Sequence, residues 1–378
     1  MKKVLFICTL IFCCIFLYTI AKGEEKTDEE DDNFENDIFS AYDFSQLDEV
    51  MNGDTESIYS FSYIFEEMVY GEGDLLSNIK DAVKNKVTYE ISQNKRNIIK
   101  IIVLAILMGL LSNVTGAISS NSGEMGFYVI FMMLVATLLG SFITIEGVVY
   151  ELINDILTFM TVLIPVFFTS VGITSGYDTS VIMSSLTLSG ITVIQFLFLK
   201  VLLPLANVYM VISIVNLITK ENYFSKFATM IEDFLKWSLK TILTVFIGLN
   251  LVEGLILPSK NTIIRKGVTK LASAVPIIGN SVNGVAELTV SSGEIIKNSI
   301  GGVALAALVI MALIPLVKIL IFMGIYRITT VIVEPICDKR VSMAIGSVAN
   351  GGSLLYKIAI SSMLLFGASI AIICVVTK

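Results

Sequence analysis

Six ionisable side chains stand inside or beside the long apolar runs of this chain: Glu146, Glu151, Asp155, Lys200, Glu253 and Lys318. A charge in hydrocarbon is costly, so such residues mark ion paths, proton relays or buried pairs unless a nearby helix end lets them reach water. Each of the six lies near an expected helix end, where a turn or snorkelling would solvate it. Other chemistry is narrowed by an absence, because the 378 residues include no histidine. Ser-His and Cys-His nucleophile pairs, His-ligated zinc sites and imidazole relays are therefore excluded. A zinc-dependent intramembrane protease needs an HExxH helix, and a rhomboid-like serine needs a histidine base. An intramembrane aspartyl protease needs two facing aspartates, and Tyr177-Asp178 has no glycine-flanked counterpart. No P-loop is present. No catalytic, cofactor-binding or metal-ligating set is expected, and the chain does not read as an enzyme.

The elements that carry these residues are built for lipid. Apolar residues make up 55% of the chain and charged ones 16%, against about 45–50% and ~25% in soluble domains. One globular core cannot hide that much apolar surface, so the bilayer must serve as solvent. Charge is also divided unevenly: residues 22–96 carry a net −13 and residues 97–378 a net +4. An acidic soluble segment is thus joined to a mildly basic membrane body, and nucleic acid is not an expected partner.

Lys2-Lys3, the apolar run Val4–Ile20 and Ala21 have the form of a secretory signal over residues 1–21, either cleaved or kept as an anchor. Either way the following segment crosses the membrane. Phe12 occupies the place where a lipoprotein needs a small residue before Cys13, so lipidation is not expected. Cys8, Cys13 and Cys14 would leave with the signal, and Cys337 and Cys374 would remain.

Residues 22–96 form an acidic external segment, partly disordered by composition. Its aromatic residues, from Phe34 to Tyr70, fit either a solvated spacer or a segment that orders on a partner. Leu75, Ile79, Val83, Val87 and Ile91 recur every fourth residue, which predicts an amphipathic helix leading into the membrane.

The fold class expected for the whole is all-α: a polytopic helical membrane protein with about seven to nine hydrophobic helices in residues 97–378. A span needs about 20 apolar residues. That ruler places helices near 98–118, 126–148, 153–173, 181–199, 201–219, 241–257, 300–317, 319–336 and 358–377. The stretch 181–219 is too long for one crossing, which predicts a tight hairpin at Lys200. The stretch 300–336 reads as a hairpin, one long tilted helix, or a span followed by a surface helix. The linkers 220–240 and 258–275 are amphipathic and basic, as helices in the interface plane are. Trp237, the sole tryptophan, suits the headgroup level.

Three prolines interrupt apolar runs, and each frees a carbonyl of the preceding turn: Pro165, Pro204 and Pro315. They act either as packing kinks or as hinges and pore-lining breaks. Pro204 and Pro315 also open a degenerate repeat, each followed by an apolar helix, a polar linker and a lysine (Lys240, Lys357). Residues 276–299 are glycine-rich and too polar to span alone, which predicts a re-entrant segment or buried helix pair around Gly279 and Gly284. The candidate pore-lining or packing positions are therefore Pro165, Pro204, Pro315, Gly279, Gly284, Lys200, Lys318 and Glu253.

The order of these elements is itself informative. LIPVFFTSVGITSG (163–176), VPIIGN (275–280), EIIKNSIG (294–301), IPLVKIL (314–320) and IVEPICD (332–338) follow one another in a body preceded by a signal and a polar segment. This arrangement resembles the stage III sporulation protein AE family of endospore-forming bacteria. The resemblance implies a non-catalytic subunit of a multi-protein channel complex. That complex lies in the mother-cell membrane around the engulfed forespore, maintains the forespore and supports its late gene expression. Its partners would be the other subunits of the complex and, through them, a forespore membrane protein. The acidic segment would lie in the intermembrane space. A self-sufficient secondary transporter is the alternative.

Overall fold

The computed structural model describes residues 44–52, 60–70, 75–115, 121–175, 177–218, 223–272 and 279–376. The expected signal, and the acidic stretch before residue 44, lie outside the described residues. Every element among the described residues is helical. In chain order they are α1 (Ser45–Asn52), α2 (Phe61–Tyr70), α3 (Leu75–Thr115), α4 (Asn121–Ser175), α5 (Tyr177–Gln195), a π-helical turn (Phe196–Leu202), α6 (Leu203–Ile218), α7 (Ser225–Ala272), α8 (Gly279–Val333) and α9 (Lys339–Val376).

Length is the first surprise. Among the described residues four helical rods are long and apolar enough to cross a membrane: Met125–Gly172, Ser180–Ile218, Ile296–Val333 and Lys339–Cys374. Two expected segments fuse on each of the first three. Segments 126–148 and 153–173 share α4, 300–317 and 319–336 share α8, and 181–199 and 201–219 share one rod. The polar residues at the joins are too few to stop a helix whose neighbours are all good helix formers.

The hairpin expected at Lys200 is absent for the same reason. The chain widens there into the π-helical turn, with the Leu203 N–H bonded back to the Phe198 carbonyl. Pro204 follows at once. Its ring would clash with the carbonyl four residues earlier and cannot donate a bond, and one wide turn relieves the clash without ending the helix.

True ends carry true stop signals. α8 ends at Val333 because Glu334 precedes Pro335, and the residue before proline is pushed out of the helical region. Asp338 then caps α9, its carboxylate accepting the Arg340 N–H at 2.8 Å. At the other end of the molecule Ser60 caps α2, accepting the Tyr63 N–H at 3.1 Å. The Ser180 hydroxyl donates to the Phe168 carbonyl and closes the α4–α5 hairpin.

α9 is the central helix. Two-thirds of its most apolar window (67%) is buried, against 33% for α4. It packs on α4, α6, α7 and α8. Small residues let these rods close on it. A Cβ on Gly351 would come 2.7 Å from the Phe142 ring and 3.1 Å from the Met210 sulfur, and one on Gly352 would meet Phe322 and Met323 at 3.1–3.3 Å. α4 shows one buried stripe at three- and four-residue spacing through Phe131, Leu134, Leu138, Phe142, Ile145, Val149, Leu152 and Ile156. α3 runs beside α4 and α8, and continues unbroken through residue 96. α1 and α2 dock on α4 and α8, Phe61 packing 6.2 Å from Phe159.

Residues 225–240 of the amphipathic linker supply the first turns of α7. These turns pack antiparallel along α6, with Phe224 N–H on the Asn216 side chain at 2.8 Å and Tyr209 facing Glu232 at 3.5 Å. The glycine-rich 276–299 enters α8, which begins at Gly279 and contains Gly284. From residue 279 onward this segment is helical. Residues 273–278 lie outside the described residues, as do the side chains of residues 253–295.

Candidate functional site: a polar crevice in an apolar body

Lys318 sits two-thirds of the way along α8, with no helix end near it. An isolated ammonium there would be costly, and the structure answers it with a carboxylate from another helix. The Lys318 Nζ lies 3.4 Å from the Glu90 Oε1 of α3, and the Glu90 side chain is only 5% exposed. The two residues are 228 positions apart in sequence. Their pairing is a product of tertiary structure alone.

The pair borders a crevice of about 300 Å³ between α3, α4 and α8. α3 contributes Tyr89, Asn94 and Asn97, α4 contributes Ser141 and Thr144, and Phe322 of α8 forms an apolar wall. Helical spacing explains the set. Glu90, Asn94 and Asn97 recur at four and three residues, so one face of α3 is polar where the helix meets the body. The Asn94 amide donates to the Glu90 carbonyl at 2.9 Å, and the Ser141 and Thr144 hydroxyls donate to Thr137 and Gly140 carbonyls at 2.9 and 3.0 Å. Hydroxyls bound to their own helix keep acceptor capacity toward the crevice.

Tyr326 lies one turn beyond Phe322, their rings 4.5 Å apart. Its hydroxyl is buried beside Ser141 without a well-formed protein hydrogen bond. A polar space of this size holds several waters. Its chemical repertoire is narrow: one carboxylate, one ammonium, amides and hydroxyls. This set can bind water and small polar solutes or switch a charge pair, and it offers no activated nucleophile.

The other candidate positions scatter. Pro165 is exposed on α4, Pro204 is exposed just after the π-helical turn, and Pro315 is half-buried on α8, one turn before Lys318. Lys200 is exposed on the opposite rod. Gly279, Gly284 and Glu253 fall on α8 and α7, and their side-chain surroundings lie outside the described residues. Of the five whose surroundings are described, Lys318 alone lines the crevice. Glu90 was missed by the reading of α3 as an apolar stripe through Val87 and Ile91; the signal available was the spacing of Glu90, Asn94 and Asn97 beside that stripe.

A second fastening holds α3 to the body. The Cys337 thiol donates to the Ala105 carbonyl at 2.8 Å, and a Cβ on Gly109 would meet the Ile336 carbonyl at 2.5 Å. Burial pushes the Cys337 thiol above its ordinary pKa, so it is a weak nucleophile at neutral pH. Beside it, burial would raise the Asp338 carboxyl. The Arg340 backbone N–H, guanidinium hydrogen bond and charge outweigh that and hold it below the usual carboxylate range. The Arg340 guanidinium also lies 4.9 Å from the Phe127 ring centroid, pinning α9 to α4.

Comparison with known proteins gives the chain its place. The family model described as "Stage III sporulation protein AE" matches residues 59–377. The curated stage III sporulation protein AE of Bacillus subtilis (strain 168) is 21% identical over 313 residues, covering 81% of this chain and 72% of the relative. No solved structure matches. The matched region holds α2 through α9, the crevice and both fastenings, and the chain belongs to the stage III sporulation protein AE family.

Proposed function

We propose that this protein is a non-catalytic membrane subunit of the multi-protein sporulation channel complex that links mother cell and forespore. In that role it maintains the forespore and sustains its late gene expression. It sits in the mother-cell membrane with its N-terminal segment toward the intermembrane space, and its partners are the complex's other subunits and, through them, a forespore membrane protein. A role in sporulation follows from the family. The observation that carries the finer reading is the polar crevice closed by Glu90 and Lys318 inside an otherwise apolar helical body. A wet, charge-paired seam between long rods suits a component that lines or braces a conduit, whereas the side chains around it offer no activated nucleophile.

The test is replacement of the native gene in the spore-forming host by the Lys318→Met variant and by the double variant Glu90→Gln/Lys318→Met. The reading expects development to stop after engulfment, with the variant protein still present in the membrane. Normal spore yield from both would remove the crevice from the function. The alternative, a self-sufficient secondary transporter, rests on the degenerate repeat that Pro204 and Pro315 open. It requires the purified chain alone to drive ion-coupled solute uptake into liposomes, and loss of that uptake in Lys318→Met.

A further inference from the structure

The rods are nearly twice as long as a bilayer is thick. Ser180–Ile218 has 39 residues, about 58 Å of helix against ~30 Å of hydrocarbon. Fitting that length into lipid would need a tilt of about 60°, beyond the 0–40° that spanning helices show. Lipid can surround only part of the body.

Charged residues mark where that part ends. Gly351 touches Phe142 and Met210, and Gly352 touches Phe322 and Met323, so these positions share one level. Four to ten residues toward the α4–α5 hairpin from that level, every rod carries a charge: Glu146 on α4, Lys200 on the α5–α6 rod, Lys318 on α8 and Lys357 on α9. Trp237 and Lys240 of α7 join this belt, since Glu232 lies beside Tyr209. From the belt to the α8–α9 turn the charge-to-charge distances are close to one bilayer. Lys357 to Lys339 is 18 residues and Lys318 to Glu334 is 16, or about 27 and 24 Å of helix.

Exposure decides between the two tiers. In the tier below the belt, toward the α8–α9 turn, large apolar side chains are exposed on several helices, among them Val103, Leu110, Met132, Val211, Val331 and Ile332. The exposed Arg327 lies seven residues from Glu334 and can snorkel to that boundary. The first turns of α7 mix Lys226 and Asp233 with Phe227 and Phe234, and α3 exposes Lys95, Arg96 and Lys100 in the same tier. Lys95 and Arg96 lie within about 9 Å of helix from the Glu90 level, and Lys100 within about 8 Å of the Ala105–Cys337 contact, so each can snorkel to a boundary. The upper tier is wrapped on its α4–α8 side by α1, α2 and the start of α3, with Glu49, Glu66, Lys80, Asp81 and Lys84 exposed. Those charges cannot stand in hydrocarbon.

We infer that the bilayer surrounds only the tier between the charged belt and the α8–α9 turn. The tier that bears α1, α2 and the α4–α5 hairpin stands in the aqueous space above it. Trp237 marks the upper lipid boundary. The exposed apolar residues of α5 and α7 above the belt, such as Leu186 and Leu249, are then out of lipid's reach.

The single tryptophan makes this measurable in the full chain reconstituted into phosphatidylcholine vesicles with brominated acyl chains. Native Trp237 should report a depth at the headgroup boundary. In a Trp237→Phe background, Met132→Trp and Val331→Trp should lose roughly half of their emission to the brominated lipid, as residues inside ~30 Å of hydrocarbon do. Leu186→Trp should lose almost none. All three sites are exposed, so tryptophan fits each without repacking. Quenching of Leu186→Trp as strong as that of Met132→Trp would overturn the placement, and so would the absence of quenching at Met132 and Val331.

Discussion

Two lysines of this protein meet carboxylates in opposite ways. Lys236 pairs with Glu232 at 2.7 Å and Asp233 at 3.4 Å within one helix, with roughly a third of the Lys236 and Glu232 side chains exposed. Lys318 reaches Glu90 at the longer distance of 3.4 Å, but across two helices and with the carboxylate 5% exposed. The shorter contact matters less. Water and salt screen the first pair, and holding two flexible side chains offsets most of its attraction. Burial makes the second more expensive to break, because the surviving carboxylate would face only the crevice in place of the ammonium.

The comparison breaks most directly at Lys318. Lys318→Met should cost about 3–5 kcal/mol, the penalty of removing the ammonium that faces a buried carboxylate. Thermal unfolding in detergent should show it, and Glu90→Gln added to Lys318→Met should restore most of the loss. If the double variant is no more stable than the single, the pair is not the source of the cost.

Packing around the crevice comes next. Gly352→Leu pushes Phe322 and Met323 from below the pair and should cost about 1–3 kcal/mol. Gly140→Leu, where a Cβ meets nothing within 4 Å, should leave the unfolding midpoint unchanged within error. Equal effects would mean that close approach to α9 does not shape the crevice wall.

A third charge lies between the two extremes. Asp338→Ala removes the α9 cap and its Arg340 contacts and should cost about 1 kcal/mol. Asp338 titrates lower in the folded protein than in the unfolded chain. Its contribution is therefore complete above the unfolded pKa of about 4 and is lost as pH falls through the lower folded value. Stability curves of native and Asp338→Ala proteins should converge in acid; a constant gap down to pH 2 would argue against the carboxylate.

The smallest effect belongs to Lys236→Met, under about 1 kcal/mol and shrinking further as salt screens the pair. A loss comparable to that at Lys318 would erase the distinction between local and tertiary pairs.

These two pairs also show what could be read in advance. Lys236 and Glu232 are four residues apart on a helix that periodicity alone suggests. The same reasoning located the apolar stretches that the long rods carry, and the family through short motifs such as IPLVKIL and IVEPICD. It failed at Lys200, which looked like a hairpin because a lysine between two apolar runs satisfies the length rule for a span. At Lys318 one long helix is among the open readings, and the structure takes it. The structure absorbs one on an exposed face beside a π-helical turn and the other in a pair with Glu90.

Composition by itself made this an all-helical, histidine-free, lipid-solvated chain, because backbone groups in hydrocarbon must be satisfied within helices and no polar surface was available for anything else. Periodicity settled which faces are greasy. Only the tertiary structure decided that Lys318 finds Glu90, that two segments share each of three long rods, and that α9 is central. Those outcomes depend on which surfaces meet across more than two hundred residues, and neither spacing nor composition carries that information.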